Sequence, residues 1–196
     1  MMEPVKNGDV AAIVTFLEMT ERPDIAVPSS SLALRQIERP DAASYRELYR
    51  LVGSRWLWNY RLTLDDDTLH DLIAAPGIEL FEVVDGDEIV GMLELDFATE
   101  GECEIKFLGL VPSYSGHGHG KWLFAETLRR AWRDGVRRVH VNTCTLDHPA
   151  ALSAYRNAGF VAYERKVETY RDPRLTGVLP RDCAPQLPLI EVLPDS

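Results

Sequence analysis

The chain has 196 residues, 45% of them hydrophobic and 27% charged, which fits one globular domain and leaves little room for two. Its formal net charge of -10 argues against nucleic acid as a partner, because binding to phosphates requires a basic surface. Three widely spaced cysteines predict no disulfide framework, and no run approaches the roughly 18 apolar residues of a membrane span, so we expect a cytoplasmic protein that contacts no membrane.

Two strand-like apolar runs open the chain, separated by a loop rich in Pro and Ser. Asp41 is typical of a helix N-cap, and apolar residues recur after it at helical spacing until Gly53. A second short helix is predicted to end before Pro76. The predicted elements of this half are strands 11–19 and 32–37 and helices 42–52 and 63–74.

The second half begins with a predicted hairpin, because the pair Asp85-Gly86 accepts the positive φ angles of a tight turn. Further strands then alternate with helices, of which the longer is amphipathic and ends at Gly135. The predicted strands are 78–84, 89–97, 103–111, 136–143 and 160–169, and the predicted helices are 118–133 and 149–157. This order predicts an α/β or α+β sandwich with helices covering a mixed sheet. The proline-rich segment beyond Asp172 is open as a terminal arm, an extra strand or a dimer contact.

A glycine-rich loop, 115–121, lies between the end of a strand and the start of a helix, where free backbone N–H groups can bind phosphate. A Walker loop would need Gly and Ser or Thr where Ser115 and Trp122 stand, and a Rossmann fingerprint would need Gly in place of Lys121. A flexible connection without a ligand is the alternative. Because no Cys or carboxylate cluster accompanies the two histidines of the loop, we expect no metal.

The loop resembles the pyrophosphate-binding motif of the GCN5-related N-acetyltransferase (GNAT) superfamily, Arg/Gln-x-x-Gly-x-Gly/Ala, which follows a strand, a proline and an aromatic residue. Ser115 replaces the usual Arg or Gln, which leaves the backbone contribution intact. A second block follows at the family's distance, so the resemblance covers about residues 104–163. The matching residues are Leu108, Leu110, Pro112, Tyr114, Gly116, Gly118 and Gly120 in the first block and Asn142-Thr143, Pro149–Leu152 and Tyr155–Phe160 in the second.

This resemblance implies a single GNAT-like domain over residues 1–172, with 173–196 as a tail of open role. The implied fold is a mixed, mostly antiparallel sheet flanked by helices, with a V-shaped cofactor cleft between two central strands, those ending at Val111 and Thr143. The implied activity is transfer of an acetyl group from acetyl-CoA to a primary amine of a small molecule, protein or peptide, in a ternary complex. An inactive acyl-CoA-binding regulatory or scaffold protein is the alternative, and a homodimer is open.

The resemblance also implies which residues hold the cosubstrate and which react. The backbone of Leu110 would polarise the thioester carbonyl. Tyr155 would protonate the departing thiolate, although a core aromatic is the alternative reading of this residue. The residues expected to bind acetyl-CoA are Leu108, Leu110, Ser115, Gly116, His117, Gly118, His119, Gly120, Lys121 and Asn142.

Glu104 is the expected general base, acting through water. The histone-acetyltransferase branch places such a glutamate four residues before the first cofactor-contact residue, which here is Leu108. Strand alternation would put Glu104 on one face with Lys106 and Leu108. A salt link between Glu104 and Lys106 explains the same pattern. Glu94 and Asp96 are reserve bases on the adjacent strand.

Trp56 and Trp58 lie in a region that commonly lines the acceptor pocket of the superfamily, although core packing explains them equally well. The acidic net charge and the carboxylates named above favour a cationic amine as acceptor. Cys103 and Cys144 are read as buried small hydrophobes and not as nucleophiles.

Overall fold

A seven-stranded mixed sheet forms the centre of the computed structural model, which describes residues 2–191. The strands are β1 (Asp9–Met19), β2 (Ala33–Gln36), β3 (Ile78–Asp85), β4 (Glu88–Asp96), β5 (Glu102–Leu110), β6 (Arg138–Cys144) and β7 (Val161–Arg171). The helices are α1 (Ala42–Gly53), α2 (Asp66–Ile73), α3 (His119–Ala131) and α4 (Ala151–Asn157), with 3-10 turns at Ser54–Trp56, Tyr60–Leu62 and Pro112–Tyr114. Within residues 2–191, no helix is both long enough and apolar enough to cross a membrane.

The strands lie in the order β2-β3-β4-β5-β6-β1-β7, and every neighbouring pair is antiparallel except β5 with β6. The N-terminal strand therefore lies between two strands from the C-terminal half of the chain. This architecture confirms the predicted mixed, mostly antiparallel sheet flanked by helices.

The helices cover the two faces of the sheet because each buries one apolar stripe. The Asp41 carboxylate accepts a hydrogen bond from the Ser44 N–H at 2.9 Å, which caps α1 as predicted. Tyr49 and the other buried residues of α1 pack with α2 against Leu80 and Met92 of the sheet. Leu128 and its neighbours on α3 pack against the opposite face.

Residues 173–191 of the tail pack against the rest of the described chain. Leu179 and Ala184 are buried against Val10 of β1 and Leu57, which follows the first 3-10 turn. Arg174 is also buried, and its guanidinium pairs with Asp172 at 2.7 Å and donates to backbone carbonyls of the tail.

An extra residue in β5 changes which side chains share a face. Leu95 pairs with Ile105 and Glu94 pairs with Phe107, so Lys106 has no opposite residue on β4 and forms a bulge. Ile105 and Leu108 both pack on the α3 side of the sheet, whereas Phe107 contacts Tyr49 on the α1 side.

The predicted common face for Glu104, Lys106 and Leu108 is therefore wrong. Strict alternation holds only while each residue has one partner, and the bulge moves Leu108 to the face opposite Glu104.

Candidate active site

The cleft opens where the single parallel pair of strands separates. β5 and β6 pair from Glu102 with Arg138 to Ile105 with Val141, and their pairing ends there. β5 continues to Leu110 with β4 on one side only. The gap beside it is part of a cavity of about 1660 Å³, lined by both strands and by residues of α3 and α4. The V-shaped opening predicted between these strands is present.

The glycine loop lines the cleft and follows the end of β5 in the chain. Gly116 and Gly118 both have φ of +85°, and Gly118 precedes the first residue of α3 without any side-chain cap. Within the loop, the Ser115 N–H donates to the Pro112 carbonyl at 3.1 Å and the Lys121 N–H donates to the Gly118 carbonyl at 3.0 Å. The N–H groups of residues 116–120 are left for an anion.

Space in front of this loop is open. A Cβ added at Gly116, Gly118 or Gly120 would meet no heavy atom within 4 Å among the described residues. The loop therefore fits a group that approaches the backbone closely, as the pyrophosphate of coenzyme A would.

The other residues expected to bind acetyl-CoA divide between two places. Those that line the main cleft with the three glycines are Leu108, Leu110, Ser115, Lys121 and Asn142. His117 and His119 line a smaller pocket beside the Ser30 loop, where Ser30 Oγ lies 3.2 Å from His119 Nδ1. Between residues 2 and 191, no group of three or more His, Cys, Asp or Glu residues is arranged to hold a metal ion.

Tyr155 of α4 lines the cleft and packs edge-on against Phe124 and Phe160, with ring centroids 5.4 and 5.6 Å away. Burial raises the pKa of the Tyr155 hydroxyl above its usual value, and the nearby charge of Asp147 raises it further. The hydroxyl therefore holds its proton at neutral pH, as a proton donor must.

Glu104 lies beside the cleft but does not line it. Its carboxylate accepts a hydrogen bond from Lys106 Nζ at 2.8 Å, and Asp96 Oδ2 lies 3.9 Å from the same nitrogen. Lys106 itself lines the cleft. The salt link that was the alternative explanation of Glu104 is thus present, with Asp96 as a further carboxylate on the same ammonium group.

Glu94 is fully buried behind the cleft. It accepts hydrogen bonds from the Tyr45 hydroxyl and from the Arg61 guanidinium, both at 2.6 Å. Burial raises the pKa of Glu94, and the Arg61 charge opposes this shift. Glu94 is placed to hold α1 and the second 3-10 turn on the sheet, and it does not reach the space where an acceptor would bind.

The aromatic loop, residues 56–60, lines the same cleft. Trp58 packs on Phe107 and Tyr49 at centroid distances of 5.0 and 5.5 Å, and Trp56 packs on His148 at 5.4 Å. Both tryptophans predicted to contact an acceptor therefore line the cavity, and Trp58 also packs in the core.

Asp147 is a cleft residue that the sequence analysis missed. Its Oδ2 accepts hydrogen bonds from Thr143 Oγ1 and from the Cys144 N–H, both at 2.8 Å, and its Oδ1 accepts one from Trp58 Nε1 at 3.3 Å. A signal was available, since Asp147 is a carboxylate in the short loop that joins the strand and helix of the second block.

The cysteines are unsuited to nucleophilic catalysis. Burial raises the pKa of the Cys103 thiol to about 12 and that of the Cys144 thiol to about 11, with Asp147 adding to the second shift. Neither thiol provides a useful fraction of thiolate at neutral pH, which agrees with reading both as small hydrophobes.

A family model described as "Acetyltransferase (GNAT) family" matches residues 45–160, which include the glycine loop, the cleft strands and Tyr155. The chain belongs to the GNAT acetyltransferase family. Members of this family use acetyl-CoA as cosubstrate.

The chain is 36% identical over 83 residues to a mycothiol acetyltransferase from Corynebacterium efficiens, a match that covers 42% of this chain and 28% of that protein. The chain therefore corresponds to less than a third of that relative.

Solved structures share the fold. A GCN5-related N-acetyltransferase from Sphaerobacter thermophilus aligns with a TM-score of 0.59 and 18% identity over 85% of this chain and 52% of that one. An aminoglycoside acetyltransferase from an uncultured soil metagenomic sample, in complex with sisomicin, aligns with a TM-score of 0.55 and 22% identity over 71% of this chain and 94% of that one.

Proposed function

We propose that this protein transfers the acetyl group of acetyl-CoA to a primary amine by direct attack in a ternary complex. The observation that carries the proposal is the opening between β5 and β6, a single cavity that is lined by both the glycine loop and the aromatic loop. Two substrates bound in this one cavity would be held close to Tyr155, which also lines it.

The cosubstrate would lie along the free edge of β5. The N–H groups of the glycine loop would bind its pyrophosphate, helped by the positive end of α3. Beyond Ile105 the edge of β5 that faces the cleft has no strand partner in the described chain, so backbone groups near Leu110 are available to the pantetheine arm and the thioester carbonyl.

Tyr155 would act as general acid. As the amine nitrogen bonds to the acetyl carbon and the carbon–sulfur bond breaks, the sulfur leaves as a thiolate and takes the Tyr155 proton. Its position in the cleft and its retained proton support this role.

Glu104 is proposed as the base that removes the amine proton through water. Glu104→Gln should then be slow near neutrality and recover as rising pH deprotonates the amine without help, because a lysine-like amine has a pKa of about 10.4. The check is a pH–rate profile with one amine acceptor and saturating acetyl-CoA. A profile that matches the wild type would remove Glu104 from the reaction and leave it as the ion-pair partner of Lys106.

One similar protein is named for mycothiol and another for aminoglycosides, so the names support acetyl transfer without fixing the acceptor. We expect calorimetry to detect coenzyme A binding, and thiol release to follow when amines are added to acetyl-CoA and enzyme. Binding without transfer to any amine would favour the inactive acyl-CoA-binding alternative. Absence of coenzyme A binding would refute both.

A further inference from the structure

The carboxylates that line the cleft are not the ones expected from the sequence. Glu94 is neutralised by Arg61, and Glu104 and Asp96 share the ammonium group of Lys106. Among the described residues, the carboxylates on the cleft wall are those of Asp147 and Glu168.

Asp147 has the more suitable position of the two. Glu168 is exposed on β7, whereas Asp147 is half-buried and its charge acts on the Tyr155 hydroxyl. Asp147 and Tyr155 both line the cleft, so the group that would receive the amine opens onto the same cavity as the group that would protonate the thiolate.

The Asp147 carboxylate can accept one more hydrogen bond. An ionised carboxylate offers about four lone-pair positions, and the three hydrogen bonds to Asp147 leave one on Oδ1, beside the long contact from Trp58. No Lys, Arg or His of residues 2–191 forms an ion pair with Asp147. Its negative charge is thus uncompensated at the wall of a cavity.

Nearby cations do not oppose an ammonium group strongly. Lys106 is paired with Glu104 at 2.8 Å, and Lys166, which also lines the cleft, is paired with Glu164 at 3.0 Å. The walls around Asp147 are aromatic, with Trp56 and Trp58 on the same loop. Aromatic faces beside a carboxylate suit a flat apolar body that carries a cation.

We propose that Asp147 binds the ammonium group of the acceptor while the aromatic loop packs against its ring, so that the acceptor is an arylalkyl primary amine. This proposal rests on the acetyl transfer proposed above and names its acceptor class. Trp58 contributes to this binding in two ways. Its indole N–H donates a hydrogen bond that orients the Asp147 carboxylate, and its ring forms part of the cleft wall.

The test uses 2-phenylethylamine and its neutral analogue 2-phenylethanol as ligands of the enzyme saturated with coenzyme A, with affinities measured by calorimetry. In the wild type the amine should bind about 10- to 100-fold more tightly than the alcohol, the range expected for a hydrogen bond to a charged group. In Asp147→Asn this difference should disappear while the affinity for the alcohol stays the same. Asp71→Asn, which removes an exposed carboxylate on α2, is the matched control and should behave as wild type.

Other outcomes are decisive against the proposal. Equal losses for the amine and the alcohol in Asp147→Asn would mean that Asp147 only shapes the loop. An unchanged preference in Asp147→Asn, together with a lost preference in Glu104→Gln, would move the role to Glu104.

Acetyl transfer assays then distinguish a wrong acceptor class from a wrong proposed function. If the wild type acetylates other amines but neither binds nor acetylates 2-phenylethylamine, the acceptor class is wrong and the proposed function stands. If it acetylates no amine, the proposed function fails first.

Discussion

At the scale of the residue, burial determines what each polar group in or near the cleft can do. Tyr155 retains its proton because its hydroxyl lies in an apolar surrounding near a negative charge. Glu94 is fully buried and is hydrogen-bonded to Arg61 and Tyr45, so it serves the fold. These two environments give two separate predictions.

Tyr155→Phe should lower kcat by about 10²-fold, the usual contribution of a general acid, and leave coenzyme A affinity nearly unchanged, because Phe keeps the packing on Phe124 and Phe160. Since the pKa of Tyr155 is raised, wild-type kcat should not fall through deprotonation of Tyr155 until the pH exceeds about 10. The measurement is steady-state kinetics against pH with chemistry shown to be rate-limiting. An unaltered kcat would show that Tyr155 is a core aromatic and not the general acid.

Glu94→Gln should lower the free energy of unfolding by about 3–5 kcal/mol, because it leaves the Arg61 guanidinium buried without its counter-charge. The control is Glu82→Gln, which breaks the ion pair between Glu82 and Arg35 on neighbouring strands. Because the Arg35 side chain is 50% exposed, this change should lower the free energy of unfolding by about 1 kcal/mol or less. Denaturant unfolding of both variants measures the difference. Equal small losses would show that the buried pair contributes little.

At the scale of the element, the start of α3 combines a weak helix position with a proposed binding role. Gly120 is the second residue of this helix, and a Cβ there would meet no atom of the described protein. The glycine therefore weakens the helix without relieving any clash, which favours a role in binding.

Gly120→Ala should raise the free energy of unfolding of the ligand-free protein by up to about 0.5–1 kcal/mol, because Ala loses less backbone entropy in a helix. The same variant should bind coenzyme A about tenfold more weakly, since the methyl group occupies the approach to the backbone. Thermal unfolding and calorimetry on one preparation test both effects. Tighter or unchanged binding would mean that the pyrophosphate lies elsewhere.

Periodicity and turn chemistry were enough to predict the strands and helices, because those signals are local. The bulge at Lys106 was not predictable, since one extra residue leaves a pattern of period two nearly unchanged while it reverses the faces beyond it. Contacts between distant segments also escaped: the Trp58–Asp147 hydrogen bond joins residues 89 positions apart. The glycine loop and Tyr155 were placed in the cleft by family resemblance, and the carboxylates that line it were found only in the structure.

Across the molecule, residues 173–191 of the tail are held by the buried pair Asp172–Arg174 and support the aromatic loop. Gln186 Nε2 donates to the Arg55 carbonyl at 2.6 Å, and Leu57 is buried against the tail with φ of +57°. Loss of the pair should therefore loosen both segments.

Burial raises the pKa of Asp172, but the hydrogen bonds and the charge of Arg174 outweigh it and hold that pKa below its usual value. The stabilisation is therefore present above about pH 4 and is lost as the pH falls through the folded-state pKa. Asp172→Asn should lose about 3 kcal/mol at neutral pH and show a flatter decline in acid than wild type. Unfolding curves between about pH 3 and 7 test this.

The control for Asp172→Asn is Glu191→Gln, which removes an ion pair with Arg181 in the same tail where both side chains are 58% exposed. This loss should be about 1 kcal/mol or less at every pH. Parallel acid profiles for wild type and Asp172→Asn would contradict the role assigned to the buried pair.

The position of β1 has a consequence for how the chain folds. Its backbone partners are β6 and β7, and Ile13 is hydrogen-bonded to the Thr145 side chain, 132 positions away. On a ribosome β1 would stay unpaired, with its apolar residues exposed, until β6 at residues 138–144 had emerged. The chain between β1 and its partner strands must form a long loop before any strand pairing stabilises it. The entropy cost of closing this loop makes the β1 contacts slow to form. β1 and the two later strands thus complete the sheet together, and a fragment lacking β1 or β7 would leave an unpaired strand edge that favours aggregation.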